Sequence, residues 1–449
     1  MENTNNSKNK TSLKEELKTI FSSSRAFWLV NLVNFGDGIA YFGMLTLLTL
    51  FLGGSVGMSD KMTGISVSTF TGLVTLFIFG GGFVSDKYGV RKALGISLVL
   101  LFVGRILLSC AALPVEAGLT AVGYIMAWGG LLIIAMGSGI LQPALYAGAK
   151  EYTNPNVSAI AFSFIYAFMN LGSVCQDFIS PFIRTDELFI GNIHGLGWGI
   201  MGVFLVCTAL TGLMLFIHLT LFTKKVEEEC RTAPPIKNKT WKERWNEMPL
   251  KDMRLLCFIF LLIPVRALFA HQFLTIPDYV FRVFSAEVAA KFEWINGINP
   301  FIIVIFAPLI TMFTRKVSVY TMLLWGTALS AATTFLLVSN HPSVMILITY
   351  VVIFSLGEAM WCSRFYEYIS DLAPVGQVGA YMGLANLPWF LAKFTTGLYS
   401  GSMLAHFVPK TGPQNPGMMW LIYGLIACIT PIGLLLTKKW LENRPEKVS

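Results

Sequence analysis

Charged residues are scarce in this sequence. They make up 13% of its 449 residues, whereas hydrophobic residues make up 55%. Roughly a quarter of the residues of a soluble domain are charged. The shortage excludes an ordinary soluble protein, and it predicts a protein that crosses the membrane several times.

The sequence also lacks the patterns that mark enzymes and metal sites. Its seven cysteines form no C-x-x-C pair and lie mostly inside apolar runs, so we interpret them as small core residues. It contains no nucleophile spaced from a base as in known catalytic motifs, and no cluster of metal ligands. We therefore expect no enzymatic activity, no cofactor, no metal and no disulfide framework.

A cleavable signal peptide is not indicated either. The polar tail Met1–Ser24 leads directly into an apolar run of about 27 residues, which is long enough to cross a bilayer. A secretory signal peptide has a shorter apolar core followed by a cleavage site. We therefore expect residues 1–25 to be a retained cytoplasmic tail.

Twelve apolar runs are present instead, each about as long as a membrane-spanning helix. They cover residues 27–53, 62–85, 93–112, 118–148, 157–183, 195–222, 253–284, 294–314, 318–338, 343–370, 376–407 and 416–437. One long polar segment, 223–252, separates the sixth run from the seventh and is predicted to be a cytoplasmic linker. We predict an all-α membrane protein with twelve transmembrane helices in two six-helix bundles, 26–222 and 253–438, followed by a tail at 439–449.

Positive charge is distributed unequally among the loops. Of the 33 lysines and arginines, the odd-to-even loops hold only Lys61, Arg184, Arg282, Lys291 and Lys410, and most of the others lie in the tails and the even-to-odd loops. This positive-inside bias predicts that both termini are cytoplasmic. It accounts for the net charge of +8 without a nucleic-acid partner, and we expect the protein in a bacterial inner (plasma) membrane.

A motif with spaced glycines follows the second predicted helix. The run from Gly82 to Lys92 fits the pattern G-x-x-x-D-[RK]-x-G-x-[RK]-[RK]. It resembles the signature loop of the major facilitator superfamily, which implies solute transport by alternating access. Because Asp86 can pair with Arg91, we predict that Gly82, Asp86, Gly89 and Arg91 act in gating.

A narrower resemblance covers most of the chain. The segment Phe162–Ser173 resembles the helix-five signature of the proton-dependent oligopeptide transporter family, and Tyr41–Met44, Asn299-Pro300 and Gly357-Glu358 match that family elsewhere. The resemblance implies proton-coupled symport of a peptide-like solute. It also implies that Glu358 faces the amino end of the substrate.

Several positions depart from that family's pattern. Its helix-one motif E-x-x-E-[RK] corresponds here to Asn34, Asp37 and Gly38, and its helix-four lysine corresponds to Gln142. A substrate carboxylate would therefore lack the two cations that the resemblance implies. Either another intramembrane cation replaces them, or the solute is not an ordinary di- or tripeptide, and we favour the second interpretation.

Three titratable groups are predicted to carry the proton: Asp37, His271 and Glu358. Asp37 lies in the middle of the first apolar run, where an ionised side chain costs about 3 kcal/mol unless it faces protein or a water-filled cavity. His271 stands where the related family has an acid, so we predict that it pairs with Asp37 across the outer gate. The alternatives are that Asp37 caps a kink between two glycines and that His271 is a core histidine bonded to a backbone carbonyl.

The predicted substrate contacts lie on helices that line the cavity in the related fold. They are Asn34, Tyr41, Gln142, Tyr146, Tyr166, Asn170, Arg266, Asn299, Glu358, Trp389 and Lys393. One further cation at helix depth, Arg105, has no obvious partner in the sequence.

These observations predict a monomeric secondary transporter, most simply a proton-coupled symporter of a small polar solute that is peptide-like or carries an amine. The alternatives within transport are an exporter of amphiphilic compounds, which would need mostly aromatic cavity walls, and a proton-independent uniporter. A receptor or scaffold that does not transport is the alternative from another class. Such a protein would need neither Asp86 nor the intramembrane Glu358.

Overall fold

The computed structural model describes residues 21–153, 158–186, 188–190, 193–231, 252–314, 317–339, 342–372 and 387–442. Nearly all of these residues are helical. Most of the predicted linker 223–252, and the tails beyond residues 21 and 442, lie outside the described residues. Of the predicted gating residues, Gly82 and Asp86 have a described backbone but side chains that lie outside the description.

The N-terminal half contains six long helices. Its elements are α1 Arg25–Leu50 with a π-helical turn at Phe51–Ser55, α2 Asp60–Tyr88, α3 Val90–Ser109, α4 Ala112–Glu116, α5 Thr120–Glu151, α6 Ser158–Arg184, a two-stranded antiparallel hairpin of β1 Leu188–Ile190 and β2 Ile193–His194, α7 Gly199–Leu221 and α8 Lys224–Cys230.

The C-terminal half contains six more. Its elements are α9 Met253–Leu274, α10 Ile276–Val283, α11 Ala286–Ala290, α12 Phe292–Phe313, α13 Val319–Thr333 with a 3-10 turn at Thr334–Val338, α14 Val344–Leu372, α15 Leu387–Phe407 and α16 Pro416–Glu442.

The twelve long helices of the described residues match the twelve predicted apolar runs, and the predicted fold class is confirmed. Nine stretches of the described helices are long and apolar enough to cross a membrane. The seventh run differs from the expectation, because Thr275 has non-helical backbone angles and separates α9 from α10. Pro277 in the first turn of α10 fits this break, since proline has no backbone N–H to continue the helix.

Pro264 lies inside α9 without breaking it. Proline removes one backbone hydrogen bond, and its ring disturbs the preceding turn. Thr430 of α16 compensates, because its hydroxyl accepts a hydrogen bond from the Val265 N–H at 3.1 Å and donates one to the Leu261 carbonyl at 2.6 Å. The neighbouring helix therefore satisfies the backbone groups that proline leaves open inside the membrane.

The two six-helix bundles meet along α2 with α15 and along α6 with α12. The α2–α15 contact is made by small residues: a Cβ atom on Gly397 would collide with Ser68, and one on Gly401 would collide with the carbonyl of Asp60. Gly64 lies between them and faces the Gly397 carbonyl. Small residues let the two backbones approach closely, as in other membrane helix pairs.

Charged contacts close one membrane face. We call the face on which the described chain begins and ends the terminal face, and the other one the opposite face. At the opposite face Arg282 of α10 forms a bidentate pair with Asp60 of α2 at 2.8 Å, and Arg184 of α6 forms one with Glu293 of α12 at 2.7 Å. All ion pairs between the two bundles in the described residues lie at this face, so the opposite face is closed.

We expect Gly401→Val to open the opposite face. The added side chain overlaps α2, and relieving such overlap costs about 1 to 3 kcal/mol, which corresponds to a shift of roughly five- to 150-fold between closed and open forms. The measurement is the rate at which an impermeant maleimide labels a cysteine introduced at Thr49, which is buried beneath the closed face.

Gly129→Val is the matched control, because nothing lies within 4 Å of a Cβ placed on Gly129. Its labelling rate should equal that of the parent protein. Equal rates for the two valine variants would contradict the proposed role of the α2–α15 contact.

Candidate functional site

Asp37 is buried in the N-terminal bundle and pairs with Arg105. The two side chains, on α1 and α3, are 7% and 1% exposed, and Arg105 Nη2 lies 2.7 Å from Asp37 Oδ1. Arg105 also donates a hydrogen bond to the hydroxyl of Thr211 on α7. The ion pair and this hydrogen bond join α1, α3 and α7. Asp37 is the partner of Arg105 that the sequence did not reveal.

His271 does not meet Asp37, which corrects the predicted pairing. Its Nδ1 lies 2.7 Å from the Thr275 hydroxyl and its Nε2 lies 3.2 Å from the Tyr399 hydroxyl. Its ring stacks on Tyr423 at 3.8 Å between centroids. The side chain is therefore a core histidine of the C-terminal bundle, as in the alternative interpretation, although its partners are hydroxyls and not a backbone carbonyl.

Glu358 and Asn299 lie together in the C-terminal bundle. Glu358 of α14 is buried, and its Oε2 accepts a hydrogen bond from Asn299 Nδ2 of α12 at 2.7 Å. The same nitrogen lies 2.9 Å from the Ser355 hydroxyl one turn away on α14. The amide of Asn299 thus holds this carboxylate in position, and the Ser355 hydroxyl in turn holds the amide.

Two cations of the same bundle lie close to each other, and one of them, Arg266, acts on that carboxylate. Arg266 of α9 is fully buried, with the rings of Phe365 and Trp389 each 4.4 Å from its guanidinium carbon and Trp361 at 5.1 Å. Lys393 Nζ lies 5.7 Å from the Trp389 ring, and Arg266 is within electrostatic range of both Lys393 and Glu358. Cation–π contacts of this kind stabilise a desolvated guanidinium by about 2 kcal/mol or more.

Asn34 is a packing residue in this conformation. It is 2% exposed, and its Nδ2 donates to the backbone carbonyl of Ile165 at 2.6 Å, which ties α1 to α6. The structure therefore does not bring it to the cavity wall, where we expected it.

The remaining predicted contacts are more accessible. Tyr146 and Tyr166 are exposed, and Tyr41, Gln142, Asn170 and Trp389 are half-buried. Asn170 donates to the carbonyl of Tyr166, one turn earlier on α6. These side chains are at least partly accessible in the described conformation, whereas Asn34 is buried.

Gly38 explains why the helix-one cation is absent. A Cβ on Gly38 would lie 2.8 Å from the carbonyl oxygen of Met169 and 3.5 Å from Cα of Gly172. The α1–α6 packing therefore leaves no room for a side chain at the position where the related family carries an arginine or lysine.

The signature loop forms a polar network with α8. Gly89 separates α2 from α3 with a φ of 82°, a conformation that favours glycine. Arg91 Nε donates to Glu227 at 2.9 Å, and Arg231 lies 3.5 Å from Glu227 and from Glu151. Arg91 thus pairs with a residue that the sequence did not suggest, and the side chain of Asp86, the other half of the predicted clamp, lies outside the described residues.

Sequence reasoning missed the polar contacts at the opposite face. Asp60, Arg184, Arg282 and Glu293 lie at the ends of predicted helices, where charges are ordinary, so nothing in the sequence distinguished them. Asp177 did carry a signal, because it is an acid inside the fifth apolar run. Within the described residues no group of His, Cys, Asp and Glu is arranged to hold a metal ion.

The chain is similar to known transporters in sequence. The family model described as Major Facilitator Superfamily matches residues 27–286. "Peptide transporter family 1" of Drosophila melanogaster is 26% identical over 252 residues, 52% of this chain and 32% of that protein. "Dipeptide and tripeptide permease A" of Proteus mirabilis (strain HI4320) is 24% identical over 37% of this chain and 33% of that protein. The match spans about a third of the length of these relatives.

Solved structures share its fold. A POT family transporter in complex with 5-aminolevulinic acid has a TM-score of 0.73 at 16% identity, covering 94% of this chain and 97% of that one. The nucleoside transporter NupG has a TM-score of 0.72 at 12% identity, covering 92% and 99%. Since the family model matches more than half of the sequence, this chain belongs to the Major Facilitator Superfamily, and within it resembles the proton-dependent oligopeptide transporters.

Proposed function

We propose that this chain is a proton-coupled symporter of a small polar solute that carries an amine. The observation that carries the proposal is the buried Glu358 carboxylate, held by Asn299 at 2.7 Å in the C-terminal bundle. An ammonium group of a solute can form a charge-assisted hydrogen bond with it. The names of the peptide transporters that the chain resembles support the same solute class.

The orientation follows from charge. Because lysine and arginine are concentrated in the tails and the even-to-odd loops, we infer that the terminal face is cytoplasmic. The opposite face is then extracellular, and it is this face that is closed in the described conformation. We further propose a monomer in a bacterial inner membrane, organised as bundles 26–222 and 253–438 joined by the linker 223–252.

Glu358 is the best-supported proton carrier. Asp37 is neutralised by Arg105 at 2.7 Å, so a proton would have to displace that ion pair before binding. His271 is held between two hydroxyls and a ring within its own bundle. Glu358 is bonded to a neutral amide. A proton and an ammonium group can therefore replace one another on its carboxylate.

The solute need not carry a carboxylate. Gly38 leaves no room for the helix-one cation, and Gln142 replaces the helix-four lysine. A desolvated carboxylate without a cation would cost several kcal/mol, comparable with the roughly 4 kcal/mol of binding energy of a millimolar ligand. Arg266 and Lys393 are the cations in the C-terminal bundle that would have to meet it.

We expect Glu358→Gln to abolish concentrative uptake. Proteoliposomes with an inward proton gradient are given radiolabelled dialanine or 5-aminolevulinic acid. The parent protein should accumulate at least one of them. Uptake by the variant should be at least tenfold lower, because a charge-assisted hydrogen bond is worth about 1.5 to 3 kcal/mol. Glu287→Gln is the control, since Glu287 is 76% exposed and far from the cavity.

Uptake that ignores the proton gradient would contradict symport and favour the uniporter. Accumulation that requires an outward gradient would favour an exporter. Uptake of neither probe would contradict the proposed solute class.

Asp37 and Arg105 are expected to act as a structural pair. Removing one member of a buried ion pair leaves the other uncompensated and costs about 3 to 5 kcal/mol. Asp37→Asn and Arg105→Gln should therefore each lower the unfolding temperature strongly, and the double variant should be clearly more stable than the sum of the two effects predicts. Thermal unfolding in detergent provides the measurement.

The same double variant separates structure from coupling. If Asp37 serves only the ion pair, the folded double variant should retain gradient-driven uptake. Additive losses of stability, or loss of uptake in a stable double variant, would count against a purely structural role.

A further inference from the structure

Asp177 is an acid in the middle of the closed interface, and none of the described residues provides it with a cationic partner. It lies seven residues before the end of α6, about 10 Å inside the opposite face at 1.5 Å per residue, and is 0% exposed. Its two carboxylate oxygens each lie 3.4 Å from the amide nitrogen of Asn296 on α12. Gly297 allows this approach, because a Cβ placed there would lie 2.8 Å from the Asp177 side chain.

Glu293 lies on α12, one turn before Asn296, and its environment contrasts with that of Asp177. Its carboxylate forms two bonds of 2.7 Å with Arg184 and accepts a third from the Ser180 hydroxyl at 3.0 Å. Glu293 also lies in the first turn of α12, where the helix dipole favours a negative charge. Glu293 is thus compensated by a cation, a hydroxyl and a helix N-terminus, whereas the other buried acid of this interface, Asp177, has only an amide.

The charges around Asp177 are few. From α12 the groups that act on it are the neutral Asn296 and the acidic Glu293. The helices α1, α5 and α7, which also pack against α6, direct no titratable group of the described residues at it. An ionised carboxylate at such a site is strongly disfavoured, because one long hydrogen bond replaces its hydration and the nearest charge has the same sign.

We propose that Asp177 is a proton-binding site on the extracellular side, and that it must be protonated before α6 and α12 can close. When the two helices separate, water reaches the carboxylate and it releases its proton to the extracellular solution. That proton returns to the side from which it came, so Asp177 sets the balance between the two conformations and does not drive transport. The proposal rests on alternating access and the proposed orientation, and not on Glu358 or the identity of the solute.

The test is the distance between spin labels at Asp186, which follows α6, and at Ala286, the first residue of α11. Both residues are exposed. It is measured by double electron–electron resonance in a cysteine-free background, in nanodiscs without solute. Between about pH 8 and pH 5 the ratio of closed to open molecules in the parent protein should rise, by up to tenfold per pH unit for one proton.

Asp177→Asn imitates the protonated acid, so this variant should remain closed at every pH. Asp177→Ser is a second neutral variant that should also lose the pH dependence, and it keeps the test informative if the first variant does not fold. Glu293→Gln is the matched control: it removes the pair with Arg184, so its closed fraction should be lower at every pH, while the slope with pH stays that of the parent protein.

A parent protein whose distances do not change with pH would overturn the proposal. So would a folded neutral variant of Asp177 that keeps the parent's pH dependence. Both results are obtained without solute or proton gradient, so they are independent of whether Glu358-dependent symport is found.

Discussion

Charged side chains inside the two bundles have to be neutralised by other protein groups, because the bilayer offers them no water. Arg105 meets Asp37 at 2.7 Å, and aromatic rings cover the guanidinium of Arg266. Glu358 is bonded to an amide. These arrangements differ in whether a charge remains for a ligand. The ion pair leaves no free charge, whereas the carboxylate bonded to the amide can still bind a proton or an ammonium group in place of the amide.

The same constraint determines how the bundles can move. At the opposite face the helices approach through Gly64, Gly397 and Gly401 on one side and through Arg184 and Glu293 on the other. Each contact is specific in the closed form, and water can replace it once the helices separate. A continuous apolar interface between the bundles would lack this property. At this interface, helix packing and ion pairing together determine whether the face can open for transport.

Much of the fold could be predicted from the sequence, because each apolar run reports its own helix. The family resemblance selected Asn299 and Glu358 as substrate contacts, but it did not predict the hydrogen bond between them. The partners of Asp37 and His271 were not predicted either, since they depend on how each helix is rotated about its axis, which a run of apolar residues does not fix. Asp177 was missed for another reason. Like Asp37 it is an acid inside an apolar run, but no recognised motif surrounds it.

The central claim is that the C-terminal bundle recognises an amine through Glu358. Its most direct test is the thermal stabilisation of the purified protein by dialanine, N-acetylated dialanine and dialanine amide, each measured with the parent protein and with Glu358→Gln. The account predicts that dialanine amide stabilises the parent protein more than dialanine does, because the carboxylate of dialanine lacks the two cations of the related family, that the acetylated compound does not stabilise it, and that the variant does not respond. An equal response to the acetylated and free peptides, or no response to any of the three, would contradict it.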